Sequence, residues 1–137
     1  MSRIESDDAL RQLLAGARVI AVVGHSDRPS TASYQIARFL RQAGYTVYPV
    51  NPTLSEIDGQ PCYGSLAEVP ERIDIVNVFR RPEHLPGVVD AAVAAGAGAV
   101  WAQSGIFSAE AEARAQAAGM PLVMDRCIKV EYNHLIA

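Results

Sequence analysis

The sequence has only two cysteines, Cys62 and Cys127, among 137 residues. That is too few for a framework of disulfides, and no pair of Cys or His residues has zinc-ligand spacing. No apolar run approaches the roughly 20 residues needed to cross a bilayer. The N-terminus, with Glu5, Asp7 and Asp8, is unlike a signal peptide. We therefore expect a cytoplasmic protein without a structural metal or a membrane partner.

The chain also lacks a concentration of positive charge. Its 12 basic and 15 acidic residues give a formal net charge of -3, and the basic ones are scattered. Duplex nucleic acid is therefore not expected as a partner. Half of the residues are apolar and a fifth are charged, as in soluble globular proteins. We expect one domain with one core, covering residues 1–137.

Five short runs rich in Val, Ile and aromatic residues alternate with helical patterns, which is typical of a parallel sheet covered on both faces. With right-handed crossovers, this repeat predicts an α/β fold. Specifically, we expect a three-layer, Rossmann-type, doubly wound sheet with strand order 3-2-1-4-5. The predicted strands are 19–23, 46–50, 73–79, 99–103 and 121–125.

The segments between the strands have helical periodicity, as in the apolar stripes of 36–43 and 85–93. Gly44 is placed to end the first of these helices in a left-handed cap. Ser108 and Gly119 bracket a later one. We also expect a leading helix over 7–15, a closing one over 130–135, and a short one near 66–69.

The loop after the first strand, 24–30, has the residues of a phosphate cradle. It leads into a helix that begins near Ala32, whose free N–H groups and dipole face any anion placed there. Serine hydroxyls and the Arg28 guanidinium add donors. Ligands of open parallel sheets bind where the strand order reverses, here above the first strand. The alternative is that Gly24 only makes a turn and the serines only cap a helix.

Two absences restrict the choice of nucleotide. The dinucleotide pattern G-x-G-x-x-G is missing because Gly24 stands alone, and the second predicted strand ends at Val50-Asn51-Pro52 without an acidic residue for a ribose. NAD is therefore disfavoured. The phosphate-binding loop of nucleoside triphosphatases is absent as well.

Five segments in order resemble one family: the small stand-alone CoA-binding domain proteins. These are similar to the CoA-binding domains of succinyl-CoA synthetase α subunits and ADP-forming acyl-CoA synthetases. The resemblance covers nearly the whole chain. The matching segments are 22–30 (VVGHSDRPS), 44–52 (GYTVYPVNP), 74–82 (DIVNVFRRP), 101–105 (WAQSG) and 125–129 (DRCIK).

The resemblance implies coenzyme A as the ligand and assigns residues to each part of it. The diphosphate would be held by Gly24, His25, Ser26, Arg28, Ser30, Ser33 and Tyr34. Asn51 and Pro52 would lie near the 3'-phosphate. Adenine and ribose would be flanked by Val78, Phe79, Arg80 and Pro82. The pantetheine arm would be lined by Gln103, Ser104 and Gly105. His25 stands where the family more often has a small residue.

No complete catalytic site is expected. The CoA ligases that this chain resembles use a phosphorylated histidine and a nucleotide-grasping domain that we do not find in the sequence. His25, His84 and His134 are expected in loops or at the surface. Cys127 could meet the CoA sulfur, although a buried apolar role is favoured.

Two functions from different classes follow. The first is a non-catalytic protein that binds CoA or acyl-CoA. The alternative is a subunit of an acyl-CoA ligase, or a small NAD(P)-binding enzyme. As assemblies, we consider a homo-oligomer or a complex with a partner enzyme.

Overall fold

The computed structural model describes residues 3–136, which form one α/β unit. The helices are α1 (Asp7–Gly16), α2 (Ala32–Gln42), α3 (Leu85–Ala94), α4 (Ala109–Ala118) and α5 (Ile128–Leu135). The strands are β1 (Val19–Val23), β2 (Thr46–Val50), β3 (Glu56–Ile57), β4 (Gln60–Pro61), β5 (Ile75–Val78), β6 (Val100–Ala102) and β7 (Leu122–Val123). Two 3-10 turns lie at Leu66–Glu68 and Pro82–His84.

The main sheet confirms the predicted Rossmann-type fold, but its strand order differs from the expected one. Its five parallel strands are arranged β2-β1-β5-β6-β7. Counting only these strands, the order is 2-1-3-4-5, whereas 3-2-1-4-5 was expected. The third strand therefore pairs with β1 and not with β2.

The physical reason for this order lies at the outer edge of β2. Pro49 has no N–H group, and proline in a sheet is confined to edge positions. The Pro49 carbonyl accepts the Tyr63 N–H at 2.9 Å, and the Asn51 N–H donates to the Tyr63 carbonyl at 2.9 Å. The chain that follows β2 thus occupies this edge itself. The position of Pro49 was a signal against a central β2.

Helices cover both faces of the sheet and make three layers. On one face, α1, α2 and α5 bury Leu10, Leu40 and Ile128 against the sheet, together with the fully buried Trp101. On the other face, α3 and α4 contribute residues such as Val89 to a second core cluster. The strand VIAVV of β1 is buried along its whole length, as its continuous apolar run predicts.

The predicted helix ends at Gly44 and Ser108 are confirmed. Gly44 has φ +108° and follows the last turn of α2, and the Tyr45 N–H donates to the Leu40 carbonyl at 3.1 Å. The Ser108 hydroxyl accepts the Ala111 N–H at 3.1 Å. The closing helix begins two residues earlier than predicted, at Ile128.

A small hairpin, β3-β4, was not predicted. Its turn consists of Asp58 and Gly59, both with positive φ. Asp-Gly between two strands is a strong hairpin signal, so the sequence did contain this information. Within residues 3–136, no helix is long and apolar enough to cross a membrane. The same residues hold no group of three or more His, Cys, Asp or Glu side chains that could bind a metal.

Candidate functional site

The candidate site lies at the carboxyl edge of the sheet, where β1 and β5 approach each other closely. Gly24 follows β1 with φ +86°, and a Cβ placed there would lie 2.8 Å from the Phe79 carbonyl oxygen. It would also lie 3.1 Å from Cδ of Arg80. Only glycine fits this position. Gly24 therefore does more than make a turn, because it lets the ends of two neighbouring strands meet.

Hydrogen bonds within the chain define the shape of the loop after β1. The Ser26 N–H donates to Oγ of Ser33 at 3.0 Å, and the Arg28 N–H donates to Oγ of Ser26 at 3.0 Å. The Thr31 hydroxyl donates to the Arg28 carbonyl at 2.7 Å. These hydroxyls organise the loop. The side chains of Arg28 and Ser30 are exposed.

The N-terminus of α2 opens onto this loop. Thr31 occupies the N-cap position but makes no side-chain cap hydrogen bond, and the first turn contains no acidic residue. The first N–H groups of a helix have no partner within the helix, and they carry the positive end of its dipole. The structure therefore places uncapped donors beside the predicted cradle.

His25 lies in the loop after β1, as expected, but it is 0% exposed, which the sequence did not indicate. The ring packs edge-on against Tyr34, with the centroids 6.0 Å apart. Nδ1 lies 2.7 Å from the Ser26 carbonyl oxygen, so Nδ1 carries the proton and donates. Nε2 is buried and has no hydrogen-bond partner among residues 3–136. Burial lowers the pKa of His25, although the bond to Ser26 opposes this.

The other two histidines lie at the surface as expected. His84 is exposed at the end of a 3-10 turn, and His134 is exposed near the end of α5. His134 lies 3.8 Å from an Asp7 carboxylate oxygen.

Asn51 links the end of β2 to the loop after β1. Its Nδ2 donates to the His25 carbonyl at 3.0 Å. Its Oδ1 accepts both the N–H and the hydroxyl of Thr53, at 2.9 and 2.7 Å. The neighbouring Pro52 is exposed. The two residues predicted near the 3'-phosphate thus lie at the carboxyl edge of the sheet, and the Asn51 amide is engaged within the chain.

Tyr34, in the first turn of α2, contacts a residue that the sequence interpretation missed. Its hydroxyl donates to the Asp58 carboxylate in the turn of the β3-β4 hairpin. This hydrogen bond raises the pKa of Tyr34. The hairpin therefore reaches across to the beginning of α2.

The residues after β5 fall into two groups. Val78 is fully buried in the core, and Phe79 packs against the cluster on the α2 face. Pro82 is exposed and begins a 3-10 turn. Arg80 is half-buried and lines a cleft of about 230 Å³. The walls of this cleft come from the ends of β1 and β2, the 64–66 segment and α3: Val23, Val50, Pro52, Leu66, His84 and Val88.

Gln103, directly after β6, belongs to a buried polar network at the carboxyl edge of the sheet. Its Oε1 accepts from Nδ2 of Asn77 and from the Ile128 N–H, both at 3.0 Å. Asn77 is fully buried in β5, and in the part of the chain that the structure describes its Oδ1 has no hydrogen-bond partner. A polar residue inside the apolar run of β5 was the sequence signal for this network, and it was missed.

Ser104 and Gly105 follow Gln103 at the surface. The Gly105 N–H donates to the Asp125 carboxylate at 2.6 Å. Ser104 lines a second cavity, of about 370 Å³, together with Cys127 and several charged residues. Cys127 is partly buried and packs against the core cluster on the α2 face, so the expected buried apolar role is met only in part.

The predicted residues thus form two neighbouring groups on one edge. Gly24, His25, Ser26, Ser33, Asn51 and Arg80 are joined by direct contacts around the β1 loop. Gln103 to Gly105 form the other group, around the ends of β6 and β7.

Comparisons with known proteins indicate one family for this chain. A family model described as a CoA binding domain matches residues 18–133. The Bacillus subtilis (strain 168) protein YneT is 42% identical over 123 residues, which cover 90% of this chain and 91% of YneT. A hypothetical protein from Pyrococcus horikoshii OT3 has a solved structure with a TM-score of 0.93 at 34% identity, covering 97% of this chain and 94% of that one.

A larger enzyme contains a similar segment. ADP-forming acetate–CoA ligase I of Archaeoglobus fulgidus is 36% identical over 73 residues, which make up 53% of this chain and 11% of the ligase. The similarity to the ligase thus concerns a small part of that enzyme. The family match covers most of this fold and its whole carboxyl edge, and the chain belongs to the CoA-binding domain family.

Proposed function

We propose that this protein binds coenzyme A and that the loop after β1 holds the CoA diphosphate. The observation that carries the proposal is the uncapped N-terminus of α2 beside the close approach of Gly24 to Phe79. Helix N-termini bind anions through free N–H groups and the helix dipole. A side chain at Gly24 would collide with the Phe79 carbonyl and push the loop away from the end of β5. Loop and helix together therefore fit a diphosphate.

The adenosine part would extend toward the cleft beside β2 and β5. Val50, Leu66 and Val88 give this cleft an apolar wall suited to an aromatic base. Arg80 borders the same cleft, and Arg81 is exposed next to it. Guanidinium groups pair well with phosphate oxygens, so these arginines and Pro52 would lie around the ribose and its 3'-phosphate.

The pantetheine arm would run over Gln103, Ser104 and Gly105. The Gln103 side-chain oxygen Oε1 accepts hydrogen bonds from Asn77 and from the first N–H of α5. These two hydrogen bonds fix the Gln103 side chain, so that it provides a rigid polar wall for the amide groups of the arm. Its thiol end would then point toward the cavity that Ser104 lines.

The role we propose is non-catalytic: the protein holds CoA or acyl-CoA. The similarity to an acetate–CoA ligase supports a second candidate, a CoA-binding subunit that works with a partner enzyme. An assay of the purified chain for ADP formation from ATP, acetate and CoA distinguishes both of these candidates from an enzyme that acts on its own. ADP formation by the chain alone would contradict the non-catalytic role.

A thermal-shift experiment tests the choice of ligand. A ligand that binds only the folded state at 100 times its Kd stabilises it by about 2.7 kcal/mol. CoA should therefore raise the melting temperature more than NAD or ATP at equal concentration. Equal shifts with CoA and NAD would remove the preference for CoA.

Replacement of Arg28 tests the position of the diphosphate. Arg28→Ala should weaken CoA binding by roughly 1.5 to 3 kcal/mol, as expected for hydrogen bonds to a charged group. Arg11→Ala is the matched control, because Arg11 is an exposed arginine on α1 outside the loop. Unchanged calorimetric affinity in Arg28→Ala would show that this guanidinium does not hold phosphate.

A further inference from the structure

The loop after β1 contains two successive peptide groups whose orientation is fixed by side chains. The first joins His25 to Ser26. Its carbonyl accepts from Nδ2 of Asn51 at 3.0 Å, and its N–H donates to Oγ of Ser33 at 3.0 Å. A peptide group is planar, with its C=O and N–H on opposite sides. Because both sides are bonded, this peptide cannot turn over without losing two hydrogen bonds.

The second peptide group joins Ser26 to Asp27. Its carbonyl faces Nδ1 of the His25 ring at 2.7 Å, and that ring is fully buried. The Asp27 N–H must therefore point the other way, from the ring toward the exposed side of the loop. Within residues 3–136, no hydrogen bond uses this N–H. The His25 ring thus leaves a main-chain donor free at the entrance to α2.

We infer that His25 and Asn51 are positioning residues that orient the peptide groups of this loop, so that the Asp27 N–H joins the first amides of α2 in binding a phosphate group. The inference rests on the proposed function, since the phosphate is that of the bound coenzyme. It adds a main-chain donor that the sequence interpretation did not name. It also gives His25 and Asn51 a role that requires no contact with the ligand.

The chemistry of the two side chains supports this role. The polar atoms of Asn51 are engaged by His25 and Thr53, so the amide is already committed within the chain. The His25 ring donates through Nδ1 to the Ser26 carbonyl of the loop, and its Nε2 is buried. Neither group needs to leave its partner for an anion to approach the exposed side of the loop.

Variants at His25 distinguish the effect of losing its hydrogen bond from the effect of changing its side-chain volume. Asn can place its Nδ2 near the position of the histidine Nδ1, whereas Leu fills a similar space without a donor. His25→Leu should weaken CoA binding at least about tenfold, since a hydrogen bond to the charged ligand is misplaced. His25→Asn should restore binding to within about threefold of the original.

Asn51→Asp provides an independent variant. It keeps an acceptor for Thr53 but removes the donor to the His25 carbonyl, and it should also weaken CoA binding at least about tenfold. His134→Ala, at an exposed position in α5, is the control that leaves the Kd unchanged.

The decisive readout is the ¹⁵N–¹H resonance of Asp27 during titration with CoA. In the wild type it should move downfield as its N–H binds phosphate, whereas His25→Leu should lose this shift and His25→Asn should regain it. Equal CoA affinities of the Leu and Asn variants would overturn the inference. So would an Asp27 resonance that stays in place while the wild type is saturated with CoA. A wild type that does not bind CoA would instead refute the proposed function.

Discussion

Gly24→Ala is the substitution for which the structure gives the clearest expectation. Residue 24 has φ +86°, where an alanine costs about 1 to 2 kcal/mol relative to glycine. The added Cβ would also lie 2.8 Å from the Phe79 carbonyl oxygen, which belongs to the backbone and cannot rotate away. Such overpacking typically costs about 1 to 3 kcal/mol. The expected loss of stability is therefore about 2 to 5 kcal/mol in total.

A second glycine serves as a control that separates the cost of the positive φ from the cost of the steric contact. Gly119 ends α4 with φ +70°, but a Cβ there would meet nothing within 4 Å. Gly119→Ala should therefore cost only the backbone part, about 1 to 2 kcal/mol. Both variants can be compared by urea denaturation and by melting temperature. For Gly24→Ala, we expect the melting temperature to fall by roughly 6 to 20 °C.

The same substitution should affect ligand binding, because relief of the clash must move the end of β1 away from β5. The loop amides then shift from the entrance to α2, and we expect CoA binding to weaken at least about tenfold, the effect of one misplaced hydrogen bond to a charged group. Gly119→Ala should retain the original Kd. Equal stability losses in the two variants, with unchanged CoA affinity in Gly24→Ala, would refute the reasoning about this close approach.

Two further predictions concern pH. The Asp74 carboxylate accepts the N–H groups of Arg18 and Val19, both at 2.9 Å. Partial burial opposes ionisation, but these bonds hold the pKa of Asp74 below its ordinary value of 3.8. Asp74→Asn should lower the free energy of unfolding by about 1 to 3 kcal/mol at neutral pH. The difference in free energy of unfolding between the wild type and Asp74→Asn should shrink as the pH falls below 3.8 toward the folded-state pKa. A difference that stays constant during acid denaturation would contradict this prediction. The pKa of His25 is lowered mainly by burial, so its contribution is complete above its ordinary value of 6.5 and declines as the pH falls through the folded-state pKa. The stability advantage of the wild type over His25→Asn should decline in the same range, and a difference independent of pH would count against a buried neutral ring.

The sequence was sufficient to predict the helices, the five strands of the main sheet and the fold class, but not the β3-β4 hairpin. The continuous apolar run of β1 and the helical periodicity of α2 each depend on local chemistry, and both elements lie where they were expected. The caps at Gly44 and Ser108 are local as well, since each involves atoms within a few residues. These features could be predicted because no distant part of the chain decides them.

Strand order could not be predicted in this way, because it depends on which edge of β2 remains free to pair with another strand. That edge is closed by Tyr63, from a segment whose path is set by the Asp58–Gly59 turn and by the buried Ile57. Pro49 showed that β2 had one unpaired side, but it did not show which neighbour would be excluded. Without the hairpin, nothing in the sequence interpretation placed the third strand on the other side of β1.

The candidate site shows the same division between local and distant interactions. Serines, Arg28 and Gly24 could be recognised in the loop because they are consecutive or nearly so. The burial of His25 could not be recognised, because it depends on Tyr34 of α2 packing against the ring and on Asn51 binding the His25 carbonyl. An isolated histidine in a polar loop gives no sign of this environment.

The change in strand order leaves the proposed site in the same region. In the expected order, the sheet reverses between its first and fourth strands, whereas in the observed order it reverses between β1 and β5. Both arrangements keep the end of β1 at the reversal, where parallel sheets bind ligands. The observed order has a further consequence, because it brings Phe79 and Arg80 directly beside Gly24. The residues assigned to adenine and ribose therefore adjoin the loop assigned to the diphosphate, as the two halves of one nucleotide require.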